Sequence, residues 1–208
     1  REKAVESQKL DDRISYAGDY CETWGKYDKA EEIYDKALLV AEERDRKLAN
    51  EDSQQIIAYY LKCKSDMMFT RGKIAQSVEL EEKAFSIVQD IAEKNLTDKN
   101  QGNLSISYSR IGTRLELLGK LDSAMKMDQK SLAICEKLST RLGTAEWQRE
   151  LAVSYDNVGN ILTAKGNLSG AMEMYKKNLA ILEKLDAELS TQQTQKDLSV
   201  CYSRIGNI

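Results

Sequence analysis

Apolar residues recur at intervals of three and four along the chain, in pairs of runs separated by a short polar turn. In the stretch from Leu151 to Leu185 the two runs are Leu151, Tyr155, Val158 and Leu162, then Leu168, Met172, Tyr175, Leu179 and Leu182. This spacing places each run on one face of a helix. The pattern therefore predicts pairs of amphipathic α-helices.

The same pattern returns every 47 residues along the chain. An aliphatic column contains Leu10, Ile57, Leu104, Leu151 and Leu198, and a glycine column contains Gly25, Gly72, Gly119 and Gly166. A fixed period of this size is typical of stacked helical repeats. It predicts one array over residues 1–208, with four full repeats at 10–56, 57–103, 104–150 and 151–197, and a partial fifth at 198–208.

Each repeat is predicted to form a helical hairpin that turns at its glycine. Glycine readily adopts the left-handed conformation that ends a helix. In the first repeat the helices are expected near residues 8–24 and 27–48. Asp28 and Glu31 have the spacing of a capping box for the second of these helices.

The order of residue types in a repeat resembles the tetratricopeptide repeat. The matching positions of repeat four are an aromatic, an apolar residue with glycine, a turn glycine, a small residue and an aromatic: Tyr155, Val158, Gly159, Gly166, Ala171 and Tyr175. The period exceeds the family's usual length of about 34 residues, so the chain resembles a long-period variant. It departs from the pattern in having no proline, and in carrying Ser65 and Glu81 where glycine and an aromatic are expected. The resemblance implies an all-α fold, an α-solenoid of antiparallel hairpins wound into a right-handed superhelix.

A second set of glycines lies inside the first helices: Gly18, Gly112, Gly159 and Gly206. Glycine within a helix costs about 1 kcal/mol relative to alanine. Close packing against the small column at Ala30, Ala124 and Ala171 is the predicted compensation.

Composition argues against several classes of function. The chain has no histidine, a formal net charge of −3 and no G-x-S-x-G motif, so nucleophilic catalysis and nucleic-acid binding are not expected. No apolar run is long enough to span a membrane. The four cysteines lie in different columns of the repeat and have no zinc-site spacing, which predicts free thiols, no metal or other cofactor, and a cytoplasmic location.

The resemblance further implies that the first helices line a concave groove that binds a peptide. The groove positions transferred from the family are Asp12, Asp19, Glu22, Tyr59, Lys62, Asp66, Phe69, Ile106, Ser109, Thr113, Glu116, Val153, Asp156 and Asn160, with Ser15 and Thr163 completing the stripes. Six of these residues are acidic and only Lys62 is basic. We therefore expect a basic or polar peptide whose binding depends on salt.

Two features of this predicted groove stay open at the level of sequence. The apolar column of Tyr59, Ile106, Val153 and Val200 either contacts the partner or packs neighbouring helices together. The family's carboxylate clamp of lysine, asparagine and arginine is matched only in scattered parts: Lys62, Arg110, Asn157, Asn160 and Arg204.

The leading functional hypothesis is a non-catalytic scaffold for protein–protein interaction. One alternative is a regulatory or sensory arm fused to a catalytic domain outside this stretch, such as a protease-like or nucleotide-hydrolysing module. Another is a structural array that self-associates. Because the chain begins at Arg1 and stops inside a repeat, we expect it to be a piece of a longer protein.

Overall fold

The computed structural model describes residue 14 and residues 16–208. These residues form helices joined by short turns, and no strand occurs among them. The expected all-α fold is confirmed. The chain divides into two compact units, Arg1–Lys94 and Asn95–Ile208, here called unit 1 and unit 2.

Unit 1 contains a helical segment at 16–23, followed by α1 (Tyr27–Leu48), α2 (Glu51–Thr70) and α3 (Ile74–Lys94). The extent of α1 agrees with the helix predicted at 27–48. The core is formed by fully buried side chains of α1 and α2, among them Tyr34, Tyr60 and Met67. The apolar stripes of successive helices therefore face one another.

Unit 2 contains five helices among its described residues: α4 (Asp98–Leu117), α5 (Leu121–Leu142), α6 (Ala145–Ala164), α7 (Leu168–Leu189) and α8 (Gln192–Gly206). Consecutive helices are antiparallel, because a residue earlier in α4 meets a residue later in α5. The two pairs Gly112 with Asp128 and Ser105 with Ser131 illustrate this order. First helices begin 47 residues apart in both units, at Glu51, Asp98, Ala145 and Gln192.

Local chemistry sets these boundaries. The four turn glycines have φ between +68° and +78°, as the sequence predicts: Gly25, Gly72, Gly119 and Gly166. Each first helix begins after a residue whose side chain accepts a hydrogen bond from the backbone three positions on: Asn50, Thr97, Thr144 and Thr191. These caps satisfy amides that the helix itself leaves unpaired.

The capping box expected from Asp28 and Glu31 does not form. The N-cap of α1 is Lys26, which makes no side-chain hydrogen bond. Instead, the Arg71 guanidinium at the end of α2 lies 3.3 Å from Asp28 and 3.0 Å from Glu31. Because the long Arg71 side chain of the following hairpin binds both carboxylates, Asp28 and Glu31 connect two hairpins instead of capping one helix.

Three of the four glycines inside the first helices are sites of close helix packing, whereas the prediction is wrong for Gly206, where an added Cβ would have nothing within 4 Å among the described residues. A Cβ added to Gly112 would lie 2.3 Å from an Asp128 oxygen, and one added to Gly159 would lie 2.6 Å from the Tyr175 ring. Distances below 3.0 Å cannot be accommodated without movement. The predicted packing role is confirmed for both glycines. The closest atoms belong to Asp128 and Tyr175, which lie four positions after the small residues expected to make these contacts.

Candidate functional site

The first helices of unit 2 are joined to one another by polar side chains. The Asn157 amide on α6 donates to the Ser109 hydroxyl on α4 over 2.8 Å. The Arg204 guanidinium on α8 lies 3.7 Å from a carboxylate oxygen of Asp156 on α6. Three first helices thus contribute polar residues to the same side of the unit.

A cleft of about 530 Å³ lies on this side. Four residues that the resemblance assigns to the groove line it: Thr113, Glu116, Asp156 and Asn160. Thr163, which completes the stripe of the fourth repeat, lines it as well. Residues predicted from two separate repeats are therefore brought together around one cleft.

The floor of the cleft is a chain of hydrogen bonds. The Tyr175 hydroxyl on α7 donates to the Asn160 side-chain oxygen over 2.8 Å. The Asn160 amide in turn donates to Asp156 over 3.1 Å. Because each group fixes the next, the Asp156 carboxylate is held in one orientation toward the cleft.

The electrostatics of the cleft are dominated by two acids. Burial raises the pKa of Glu116, which Arg204 lowers and Asp156 raises further. Burial also raises the pKa of Asp156, against the lowering effects of Arg204 and of the hydrogen bond from Asn160. One Asp156 oxygen is buried with no hydrogen-bond partner among the described residues. The two acids outnumber the one cation among the described residues of the lining, Arg204, so the cleft carries an excess of negative charge.

Two residues central to the cleft were not on the list of groove residues. From the sequence, Tyr175 was assigned only to the repeat pattern and Arg204 only to the partial clamp. The spacing of residues within one helix does not reveal which residues of another helix they contact. The signal for Tyr175 was its position in a fixed column, opposite Gly159.

The apolar groove positions are exposed rather than packed between helices. Tyr59 is 46% exposed, Ile106 38% and Val153 44%. These side chains are therefore accessible to a partner, and their role in binding stays a prediction. Ser109 is half-buried and occupied with Asn157.

Unit 1 has its own acidic cluster on the corresponding residues. The Tyr34 hydroxyl lies 2.8 Å from Glu22 and 3.1 Å from Asp19, and can donate to either carboxylate. Burial raises the pKa of Glu22, with further contributions from Asp19 and Asp66. Three predicted groove acids thus lie close enough to interact.

Two other predicted groove residues of unit 1 are partly covered by neighbouring side chains or backbone. Lys62 and Phe69 are half-buried on α2. The predicted groove residues Asp12 and Ser15 lie outside the described residues.

The described residues also bear on the expectations for metal ions, disulfides and membrane spans. Within them, no three side chains of histidine, cysteine, aspartate or glutamate are grouped as metal ligands. All four cysteines are free thiols, and burial raises the pKa of Cys63 and of Cys201 to about 11. None of the helices in the described part of the chain has the length and apolar character needed to cross a bilayer.

Repeated antiparallel hairpins with this packing define a helical-repeat protein of the α-solenoid class. A family model described as "Tetratricopeptide repeat" matches residues 105–139 and 151–185. These two stretches of the chain are therefore identified as tetratricopeptide repeats. No curated protein sequence matches it.

Solved structures are similar to the chain over most of its length. A crystal structure of BtubC (BKLC) from P. vanneervenii is 20% identical with a TM-score of 0.70, covering 99% of this chain and 76% of that one. A protein named as a kinesin light chain from Podosopora anserina, with nearly identical TPR-like repeats, is 16% identical with a TM-score of 0.66, covering 94% and 86%.

The yeast histone chaperone Hif1 is also similar, at 12% identity and a TM-score of 0.60, covering 98% of this chain and 96% of that one. Hif1 is described as a scaffold protein that recruits protein complexes to core histones. At these identities the likeness concerns the fold.

Proposed function

We propose that this chain is a non-catalytic scaffold that binds a peptide or a partner protein on the face of its first helices. The match of two repeats to the tetratricopeptide-repeat model supports this proposal. So does the fold shared with Hif1, which is itself described as a scaffold.

The observation that carries the proposal is the acidic cleft of unit 2. Its lining includes Glu116 and Asp156, and Arg204 is the cation that approaches them. Because two acids share one cation, a lysine or arginine of the partner would supply the second positive charge and form charge-assisted hydrogen bonds with them.

Exposed apolar side chains beside the acids would give the partner additional contact area. In unit 2 these are Ile106 and Val153, and in unit 1 it is Tyr59. We propose the following residues as the binding surface of unit 1: Asp19, Glu22, Tyr59, Lys62, Asp66 and Phe69. In unit 2 they are Ile106, Ser109, Thr113, Glu116, Val153, Asp156 and Asn160. Apolar anchors would contribute affinity, and the acids would select a basic partner.

The test is to replace both cleft acids, as Glu116→Gln with Asp156→Asn, and to measure binding of matched basic and acidic peptide libraries. We expect binding of basic peptides to weaken roughly five- to thirtyfold, given about 0.5–1 kcal/mol for each partly exposed charge. The preference for basic over acidic peptides should shrink as salt is raised, because salt screens such interactions.

The control variant is Glu188→Gln, which removes an exposed charge from α7 outside the cleft lining. It should leave the preference for basic peptides unchanged. Equal selectivity in the double variant and in the unaltered protein would contradict an acidic binding cleft. Binding of basic peptides should also weaken as the pH falls through the raised pKa values of Glu116 and Asp156, since protonation removes their charge.

A further inference from the structure

One column of the second helices holds a polar group deep in the interior of every repeat. Its members are all at most 2% exposed: Tyr34, Glu81, Asp128 and Tyr175. Each lies against the position of the first helix that is glycine or serine: Gly18, Ser65, Gly112 and Gly159. A buried polar group is costly unless it finds a partner.

Three of the four members have such a partner. Tyr175 donates to Asn160, and Tyr34 donates to the acids of unit 1. Glu81 accepts a hydrogen bond from the Ser65 hydroxyl over 3.1 Å. The two tyrosines are long enough for their hydroxyls to reach polar side chains of the first helix, and the glutamate accepts a hydrogen bond from the serine opposite it.

Asp128 is the exception. Neither of its carboxylate oxygens has a hydrogen-bond partner among the described residues, and the side chain is 1% exposed. It is shorter than tyrosine, so it does not reach across α4. The residue opposite is Gly112, which offers no hydroxyl of the kind that Ser65 supplies to Glu81.

The charges around Asp128 make its ionised form less favourable still. Glu116 on α4, one turn beyond Gly112, is the charged group that acts on it. Burying an ionised carboxylate without a counter-charge costs roughly several kcal/mol of desolvation free energy, and the neutral acid largely avoids this cost. Burial first, and Glu116 second, raise the pKa of Asp128 from its ordinary value of 3.8 to about 7.

We propose that Asp128 is a buried proton-binding site, neutral when the α4–α5 hairpin is closely packed, and that loss of its proton loosens this hairpin. The carboxyl would keep its proton because it lies against the Gly112 backbone with no donor in reach. Loosening would move the face of α4 that carries Thr113 and Glu116. The effect on partner binding rests on the proposed function, whereas the proton site itself does not.

The direction in which stability changes with pH follows from the raised pKa of Asp128. The folded state binds the proton more tightly than the unfolded state, so the stabilisation is fully present below about pH 4 and is lost as the pH rises through about 7. Most carboxylates act in the opposite direction, since paired acids stabilise the folded state at neutral pH.

The first measurement is a carboxyl-carbon NMR titration of the unaltered chain, with Asp128 assigned by its disappearance in Asp128→Asn. We expect its midpoint to lie near neutral pH, accompanied by shifts of the Thr113 and Glu116 amides. A midpoint near the ordinary value of 3.8 would overturn the proposal, and this readout does not depend on any partner.

The second measurement compares melting temperatures from about pH 5 to about pH 8. The difference between Asp128→Asn and the unaltered chain should grow with pH in favour of the variant, since asparagine cannot ionise. The control Asp122→Asn lies on the same helix, where the Lys165 ammonium lowers the pKa of an exposed carboxyl. Its difference should be flat over this range, and equal slopes for the two variants would contradict a proton site at Asp128.

Discussion

The two hairpins of unit 2 share one backbone design but differ in the buried contact opposite the glycine of the first helix. In α6–α7 the ring of Tyr175 fills the space above Gly159 and its hydroxyl reaches Asn160 in the cleft. In α4–α5 the Asp128 carboxyl takes that place above Gly112 and reaches no partner. The glycine therefore permits close approach in both, but only the tyrosine connects the core to the cleft.

This difference suggests how the repeat can be adapted without changing its fold. Glycine keeps the two helices close, and the residue opposite decides whether the interior is linked to the binding face. The link in the fourth repeat orients Asp156 through Asn160. The same column in the third repeat carries a titratable group instead.

The largest expected effect comes from filling the close contact in α6–α7. Gly159→Leu should destabilise unit 2 by about 1–3 kcal/mol, because the new side chain overlaps the Tyr175 ring. Urea unfolding monitored by circular dichroism would measure the change. Gly206→Leu is the matched control, since it lies in the same column with nothing within 4 Å. Similar losses in the two variants would show that the ring contact is not the cause.

Removing the connection while keeping the ring should have a smaller effect. Tyr175→Phe deletes the hydrogen bond to Asn160 and should cost about 1 kcal/mol of unfolding free energy. It should also weaken binding of basic peptides, because Asn160 no longer holds Asp156 as firmly. Tyr155→Phe removes an exposed hydrogen bond to Glu136 and should change both quantities less. A larger loss from the Tyr155 variant would refute this ranking.

The ends of the two hairpins provide the smallest expected change, and it is a stabilising one. The left-handed residue that ends α5 is Gly143, whereas the one that ends α7 is Ser190, with φ of +45°. Ser190→Gly should therefore raise the unfolding free energy by about 0.5–1 kcal/mol, since glycine avoids a steric penalty there. Gly143→Ser should lower it by a similar amount. A destabilised Ser190→Gly variant, seen as a lower urea midpoint, would contradict this explanation.

Much of the helical pattern could be predicted because it depends on residues close in sequence. Period and turn glycines place α1 at Tyr27–Leu48 and predict left-handed turns such as Gly166. The resemblance also selected Thr113, Glu116, Asp156 and Asn160, which the structure gathers around one cleft.

What could not be predicted depends on partners from other helices. Asp28 had suitable spacing for a cap, yet Arg71 binds it from 43 residues away. Likewise, the sequence shows an acid at position 128 but not that both of its oxygens lack a donor. Periodicity specifies the face of a helix on which a side chain lies. It does not specify which residue it meets.

The central claim is that the cleft between Glu116 and Asp156 receives a basic residue of a protein partner. The most direct measurement is NMR of the isotope-labelled chain during titration with a lysine- and arginine-containing peptide, at low salt and neutral pH. We expect the largest shifts at Thr113, Asp156, Asn160 and Arg204, and their loss in the variant with Glu116→Gln and Asp156→Asn. Shifts concentrated on the outer helices α5 and α7, or unchanged in that variant, would contradict the claim.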